Sequence, residues 1–161
     1  ASTPGAAGVT AAVTSPLWSE STWSERAPAA LIGFEPGHGR ADLARAFLEA
    51  HAYAIRGNLE DLERAMGAPA QAVCLMGGAA ASAEFVQLVA DVCARPIQRI
   101  SDDYPAGRGF ALLAADHGAT TAAGLTGAAV EPADPDSYEE GYMRFVEAGN
   151  AIRRELPGWT A

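Results

Sequence analysis

Lysine is absent from the 161 residues, and all eleven basic side chains are arginine. That absence removes the lysine-bearing phosphate loop, the Schiff-base lysine and the Ser-x-x-Lys nucleophile. Cysteine is scarce. Cys74 and Cys93 are too few for a disulfide framework, and each lies in an apolar stretch that suits a buried thiol better than a bridge or metal pair. No zinc-ligand spacing occurs. His38, His51 and His117 stand far apart without a partner at catalytic spacing, so all three read as structural. No apolar run approaches the roughly 18 residues of a membrane helix. Basic clusters are missing too, and a formal net charge of −9 argues against nucleic acid or an anionic membrane as partner. Residues 1–13 are small and apolar without a basic flank, which does not read as a signal peptide. The expected location is cytoplasmic.

Alanine is what the chain has most of, at 37 residues in a composition that is 49% apolar. Small apolar side chains at that density suit closely packed helices in one domain of ordinary size. Residues 1–40 read as an irregular segment with short strands at 8–13 and 30–34, broken by Pro4, Pro16, Pro28 and Pro36. Trp18 and Trp23 flank a polar loop and are assigned to packing rather than to ligand stacking. Residues 41–66 carry the strongest helical pattern, with Leu43, Phe47, Ala50 and Ala54 on one stripe and Leu48, Ile55 and Leu62 at sevens. Asp42 lies in its first turn and Gly67 follows its last. Further along, 72–76 reads as a buried strand, 82–94 as a helix, 96–100 as a strand and 109–117 as an alanine-rich helix. An acidic connection at 131–137 leads to an amphipathic helix over 138–156. This order means α/β.

Chemistry concentrates in Cys74-Leu75-Met76-Gly77-Gly78-Ala79-Ala80-Ala81-Ser82, a strand running into a small-residue turn and then a helix. Glycines let a polyanion approach the backbone, because no Cβ intervenes and positive φ is allowed. A helix starting near Ser82 turns free N–H groups and its positive dipole end to the same place. Gly77, Gly78, Ala79 and Ser82 are therefore the candidate cofactor-binding residues, weighed against a plain strand-to-helix turn. A dinucleotide seat, with Asp102 or Asp103 on the ribose, competes for the same residues. It fails on spacing, since the fingerprint needs G-x-G-x-x-G. Elsewhere, Glu49 reads equally as a solvated carboxylate or a site residue. Asp91 reads as a structural hydrogen-bond acceptor, and the acids of 131–140 as a solvated surface.

The order of parts around the turn resembles the FGGY carbohydrate kinases. Their D-L-x-R-A-x-L-E helix is matched by Asp42-Leu43-Ala44-Arg45-Ala46-Phe47-Leu48-Glu49, and their G-G-G-x-x-S turn by Gly77 to Ser82. Their Q-x-x-A-D-V is met by Gln87-Leu88-Val89-Ala90-Asp91-Val92, their P-V by Pro96-Ile97, and their G-A-A-x-x-A by Gly109 to Ala114. Upstream, Gly33-Phe34 stands at the family's distance from Asp42-Leu43. The resemblance covers about residues 15–156.

It implies a ribonuclease H-like, actin-like α/β lobe with a mixed sheet and flanking helices, of which this chain is a partial C-terminal part. Residues 1–40 would belong to that lobe and 41–161 would be its ATP-binding portion. The implied reaction is transfer of the ATP γ-phosphoryl group to a sugar hydroxyl with Mg²⁺. No catalytic or metal-ligating residue falls in this chain. The general-base aspartate and most sugar contacts are expected in an N-terminal lobe. Gly77 and Gly78 would lie against phosphate, and Ala79 to Ser82 beside ribose and adenine. The implied partners are ATP and a small sugar, and the apolar surface that an unpaired half-cleft would expose suits a second copy of the chain.

Several positions depart from the family. Its third glycine is Ala79, and its basic residue before the serine is Ala81. Its G-E-R-[ST]-P falls on Ser19-Glu20-Ser21-Thr22-Trp23, and its glutamate before T-A-L-G falls near Tyr104. Residues 23–36, with Ala27-Pro28, look more like the kinases of quorum-sensing autoinducers than like true xylulokinases. The alternative is a non-catalytic ATP-binding or oligomerisation domain of the same fold.

Overall fold

Alanine, leucine, arginine and glutamate dominate residues 40–66, and all are strong helix formers. They build α1, Arg40–Met66. The Gly39 N–H donates to the Asp42 carboxylate at 2.9 Å, which anchors the first turn. Arg45–Glu49 and Arg56–Glu60 pair at i,i+4. Gly67 ends the helix at φ 68°, a conformation that favours glycine. The computed structural model describes residues 2–12, 30–100 and 127–155. The expected helix at 109–117, together with Trp18, Trp23, Asp102, Asp103, Tyr104 and His117, lies outside the described residues.

Two short strands precede α1, β1 (Thr10–Ala12) and β2 (Ala30–Ile32), paired antiparallel with Ala11 opposite Leu31. After α1 come β3 (Val73–Leu75), α2 (Gly78–Ala81), α3 (Ala83–Cys93) and β4 (Ile97–Arg99). Then follow β5 (Ala128–Val130), a 3₁₀ turn over Pro135–Tyr138 and α4 (Glu139–Glu155). In the second sheet β3 runs parallel to β4, which pairs antiparallel with β5, so the sheet is mixed. The sequence reading has no strand at 128–130. Its Ala-Ala-Val carries little β signal, and pairing with β4 decides it.

α1 crosses α3 and β1, and α4 packs on β1. The buried residues of α1 are Ala46, Glu49, Ala50, Ala52, Tyr53 and Gly57, whereas Phe47, Leu48 and Leu62 are exposed. Of the large apolar side chains of α1, Tyr53 is buried and Leu43 and Ile55 pack against the core, while Phe47, Leu48 and Leu62 stay outside, so size alone does not mark the core face. Alanines fill much of it, because a methyl-sized surface lets the helices approach closely enough to bury Val86, Val89 and Val92 of α3. Each of those valines contributes roughly 1.5–3 kcal/mol through burial. Gly141 of α4 repeats the device, since a Cβ there would run into the Tyr53 phenol.

Two further expectations are corrected. β3 is half-buried rather than buried, pairing among the described residues with β4 alone, and Cys74 on it is exposed; only Cys93 is a buried thiol. Glu49 is no solvated carboxylate either. It is 2% exposed and accepts from Arg45 Nε at 2.6 Å and from the Gly5 N–H at 3.0 Å.

Candidate functional site

The glycine turn begins where β3 ends. Gly77 sits at φ 74°, ψ −156°, open to glycine and strained for any other residue. A single four-residue helix, α2, follows before the chain straightens at Ser82 (φ −86°, ψ 115°). Ser82 then starts α3, its Oγ accepting the Phe85 N–H at 3.2 Å. A helix does start at Ser82, as the sequence reading expects, and its first turn lines the same cavity as Gly78; what the sequence reading lacks is α2, which stands between the glycines and that helix. α2 is too short for a useful dipole.

Arg99 holds this turn from the side. Its Nε donates to the Ala80 carbonyl at 2.7 Å and its Nη2 to the Ala81 carbonyl at 3.0 Å, satisfying the open end of α2. The parallel register that sets Leu75 opposite Arg99 puts it there. A gap of 18 residues hides that role in the sequence.

Beside the turn lies a cavity of about 750 Å³, within the range of ligand sites. Gly78, Ala79 and Ser82 line one wall of it, and Arg45, Leu48 and His51 of α1 form the opposite one. Glu84, Phe85, Gln87 and Asp91 of α3 and Tyr138 complete it. Three of the four candidate residues thus share one cavity. Gly77 shapes the turn without lining it. At Gly78 a Cβ would meet nothing within 4 Å, so packing does not demand glycine at this position.

The polar groups around the cavity are mostly committed. Arg45 donates to Glu49 and, through Nη2, to the Tyr138 hydroxyl at 2.5 Å. Burial raises the Tyr138 phenol above its ordinary range, against the pull of Arg45. Asp91 accepts from Gln87 Nε2 at 3.0 Å, the Ala133 N–H at 2.6 Å and the Asp134 N–H at 3.2 Å, which is the structural role expected of it. Glu84 is held below the usual carboxylate range by its own backbone N–H and by the Ser82 hydroxyl. The His51 Nδ1 bonds the Phe47 carbonyl at 2.7 Å. His38 bonds the Glu35 N–H and the Ala7 carbonyl, both structural contacts. Among the described residues no group of three or more His, Cys, Asp or Glu could hold a metal. Nor is any helix among them long and apolar enough to cross a membrane.

The profile of the FGGY family of carbohydrate kinases, C-terminal domain, matches residues 8–116. The chain belongs to this family. As an FGGY domain it is 30% identical over 145 residues to a glycerol kinase of Pseudothermotoga lettingae, a match covering 85% of this chain and 28% of that one. It is 39% identical over 77 residues to a glycerol kinase of Gloeobacter violaceus, 48% of this chain and 16% of that one. A crystal structure of xylulose kinase from Rhodospirillum rubrum superposes with a TM-score of 0.68 at 27% identity, covering 97% of this chain and 32% of that one. The FGGY domain here therefore spans less than a third of the length of these relatives. Its mixed sheet with flanking helices is part of the actin-like fold of such kinases.

Proposed function

We propose that this FGGY domain holds ATP for a kinase that moves the γ-phosphoryl group to a hydroxyl of a small sugar or polyol. The single observation that carries the site is the wall made by Gly78, Ala79 and Ser82, open to a large cavity at a position where packing does not require glycine. Gly77 bends the backbone at the mouth of the turn, and Gly78 leaves room for phosphate oxygens to reach it. Ala79 and Ser82 border the ribose and base. The ionised Glu84 repels phosphate from the α3 side, which orients the tail toward the glycines. Bound Mg-ATP supplies the phosphoryl group with its charge partly neutralised. Mg²⁺ would be carried mainly by the phosphate oxygens and water, the usual shell of this ion on a nucleotide.

The general base for the acceptor hydroxyl is assigned to a lobe outside this chain. Glycerol kinases and xylulose kinase as relatives point to a small polyhydroxylated acceptor. Location in the cytoplasm, where ATP is available, fits this reading. A second reading, nucleotide binding or oligomerisation without catalysis, is favoured by Ala79 and Ala81, which replace the family's third glycine and its basic residue.

Calorimetric titration of Mg-ATP into the protein, with NAD as control and Gly78→Glu as variant, tests the site. The expected outcome is ATP binding in the parent and none with NAD. The variant should lose ATP binding at an unchanged melting temperature, because its side chain enters open space and sets a carboxylate against phosphate. Normal ATP binding by the variant would remove the glycine turn from the site.

A further inference from the structure

Deepening the nucleotide reading, on which it rests, we propose that His51 selects the base: its ring Nε2 accepts a hydrogen bond from the 6-amino group of adenine and disfavours a 6-oxo purine. The Nδ1 of His51 lies 2.7 Å from the Phe47 carbonyl. A carbonyl oxygen carries no proton, so Nδ1 must donate, and in the neutral ring Nε2 then keeps its lone pair. That Nε2 makes no hydrogen bond among the described residues, while His51 itself is exposed and lines the cavity.

The neighbouring groups point the same way. The amide nitrogen of Gln87 is spent on Asp91 and on the Glu131 carbonyl, and Glu84 and Asp91 are acceptors only. Arg45 is engaged by Glu49 and Tyr138. The Gln87 amide and the Arg45 Nε and Nη2 are thus used, and on the side of His51, Glu84 and Asp91 the cavity presents acceptors, with the Tyr138 O–H as a donor beside Arg45. Leu48 and Phe85 supply apolar surface for a flat ring. A ring bearing an exocyclic amine satisfies such a site. A purine with a carbonyl at the same place sets oxygen lone pairs against the nitrogen lone pair of His51; because His51 is exposed, water can take the place of the lost partner, and the discrimination is that of one neutral hydrogen bond.

The test compares Mg-ATP, Mg-ITP and the 6-unsubstituted purine riboside triphosphate with Mg²⁺ on the parent, His51→Leu and His51→Gln, by calorimetry with thermal melts alongside. The parent should prefer ATP to both analogues. His51→Leu should lose about two- to tenfold in ATP affinity, the range of one neutral hydrogen bond. It should bind the unsubstituted purine as the parent does, so that removing the amine and removing the imidazole do not add. His51→Gln, whose amide oxygen also accepts, should recover part of the preference for ATP. A merely structural role would weaken all three nucleotides alike and lower the melting temperature. An unchanged ATP-to-ITP ratio in His51→Leu overturns the assignment of His51 alone. Failure of the parent to bind any of the three overturns the nucleotide site with it.

Discussion

Burial at the end of α3 pushes the Cys93 thiol up to about 11, whereas Cys74 lies exposed on β3. Only thiolate reacts with maleimides or aromatic disulfides, so Cys93 is protected by its acidity as well as by access. At pH 8 one thiol per chain should label within minutes, and mass spectrometry of tryptic peptides should place the label on Cys74. The second should label only in denaturant. Rapid double labelling of the native protein would contradict the packing described around α3. The same contrast separates two carboxylates that look alike in sequence. Asp91 sits in a helix with Gln87 four residues before it, and its structural role was legible there. Glu49 stands among large apolar neighbours that turned out to be exposed, so its burial beneath Gly5 and Arg45 was not.

Among the elements, α2 depends most on a remote residue. Four residues of helix do not sustain themselves, and the two bonds from Arg99 to the Ala80 and Ala81 carbonyls hold the turn in place. Arg99→Ala should cost about 1.5–3 kcal/mol, the scale of hydrogen bonds to a charged group. It should also weaken Mg-ATP binding by about tenfold and speed amide exchange over Gly78–Ala81, while exchange in α1 changes little. Equal loss of protection in both helices would mean that Arg99 supports the whole fold rather than the turn. The caps of α1 and α3 were readable as Asp42, Gly67 and Ser82, because a cap is chosen within three or four residues. Arg99 was not, because a strand register chooses it.

Across the whole molecule, exposed carboxylates tie distant segments together. The Gly39 N–H and the Ser2 hydroxyl hold Asp42 below its ordinary 3.8; Arg95 and the Ala70 N–H hold Glu63 below 4.5, and Arg56 does the same for Glu139. Lowered folded values mean that these groups stabilise the native state above their ordinary values, and that this contribution disappears as pH falls through the folded ones. The urea midpoint should therefore drop below about pH 4.5, less steeply in high salt because the groups are solvent-exposed. A flat midpoint between pH 6 and pH 3 would deny these ties a role. The sequence alone determined the three long helices α1, α3 and α4, the glycine turn, the α/β order and the family, since propensity, capping and motif order are properties of neighbouring residues. Only the tertiary structure decided that Ala46, Ala50 and Ala52 of α1 face the core while Leu48 and Leu62 do not, that β5 pairs with β4, that Glu49 is buried, and that His51 and Arg99 come to the turn. Those outcomes depend on how closely two surfaces approach and which strand lies beside which, and the energies that set them act between residues far apart in the chain.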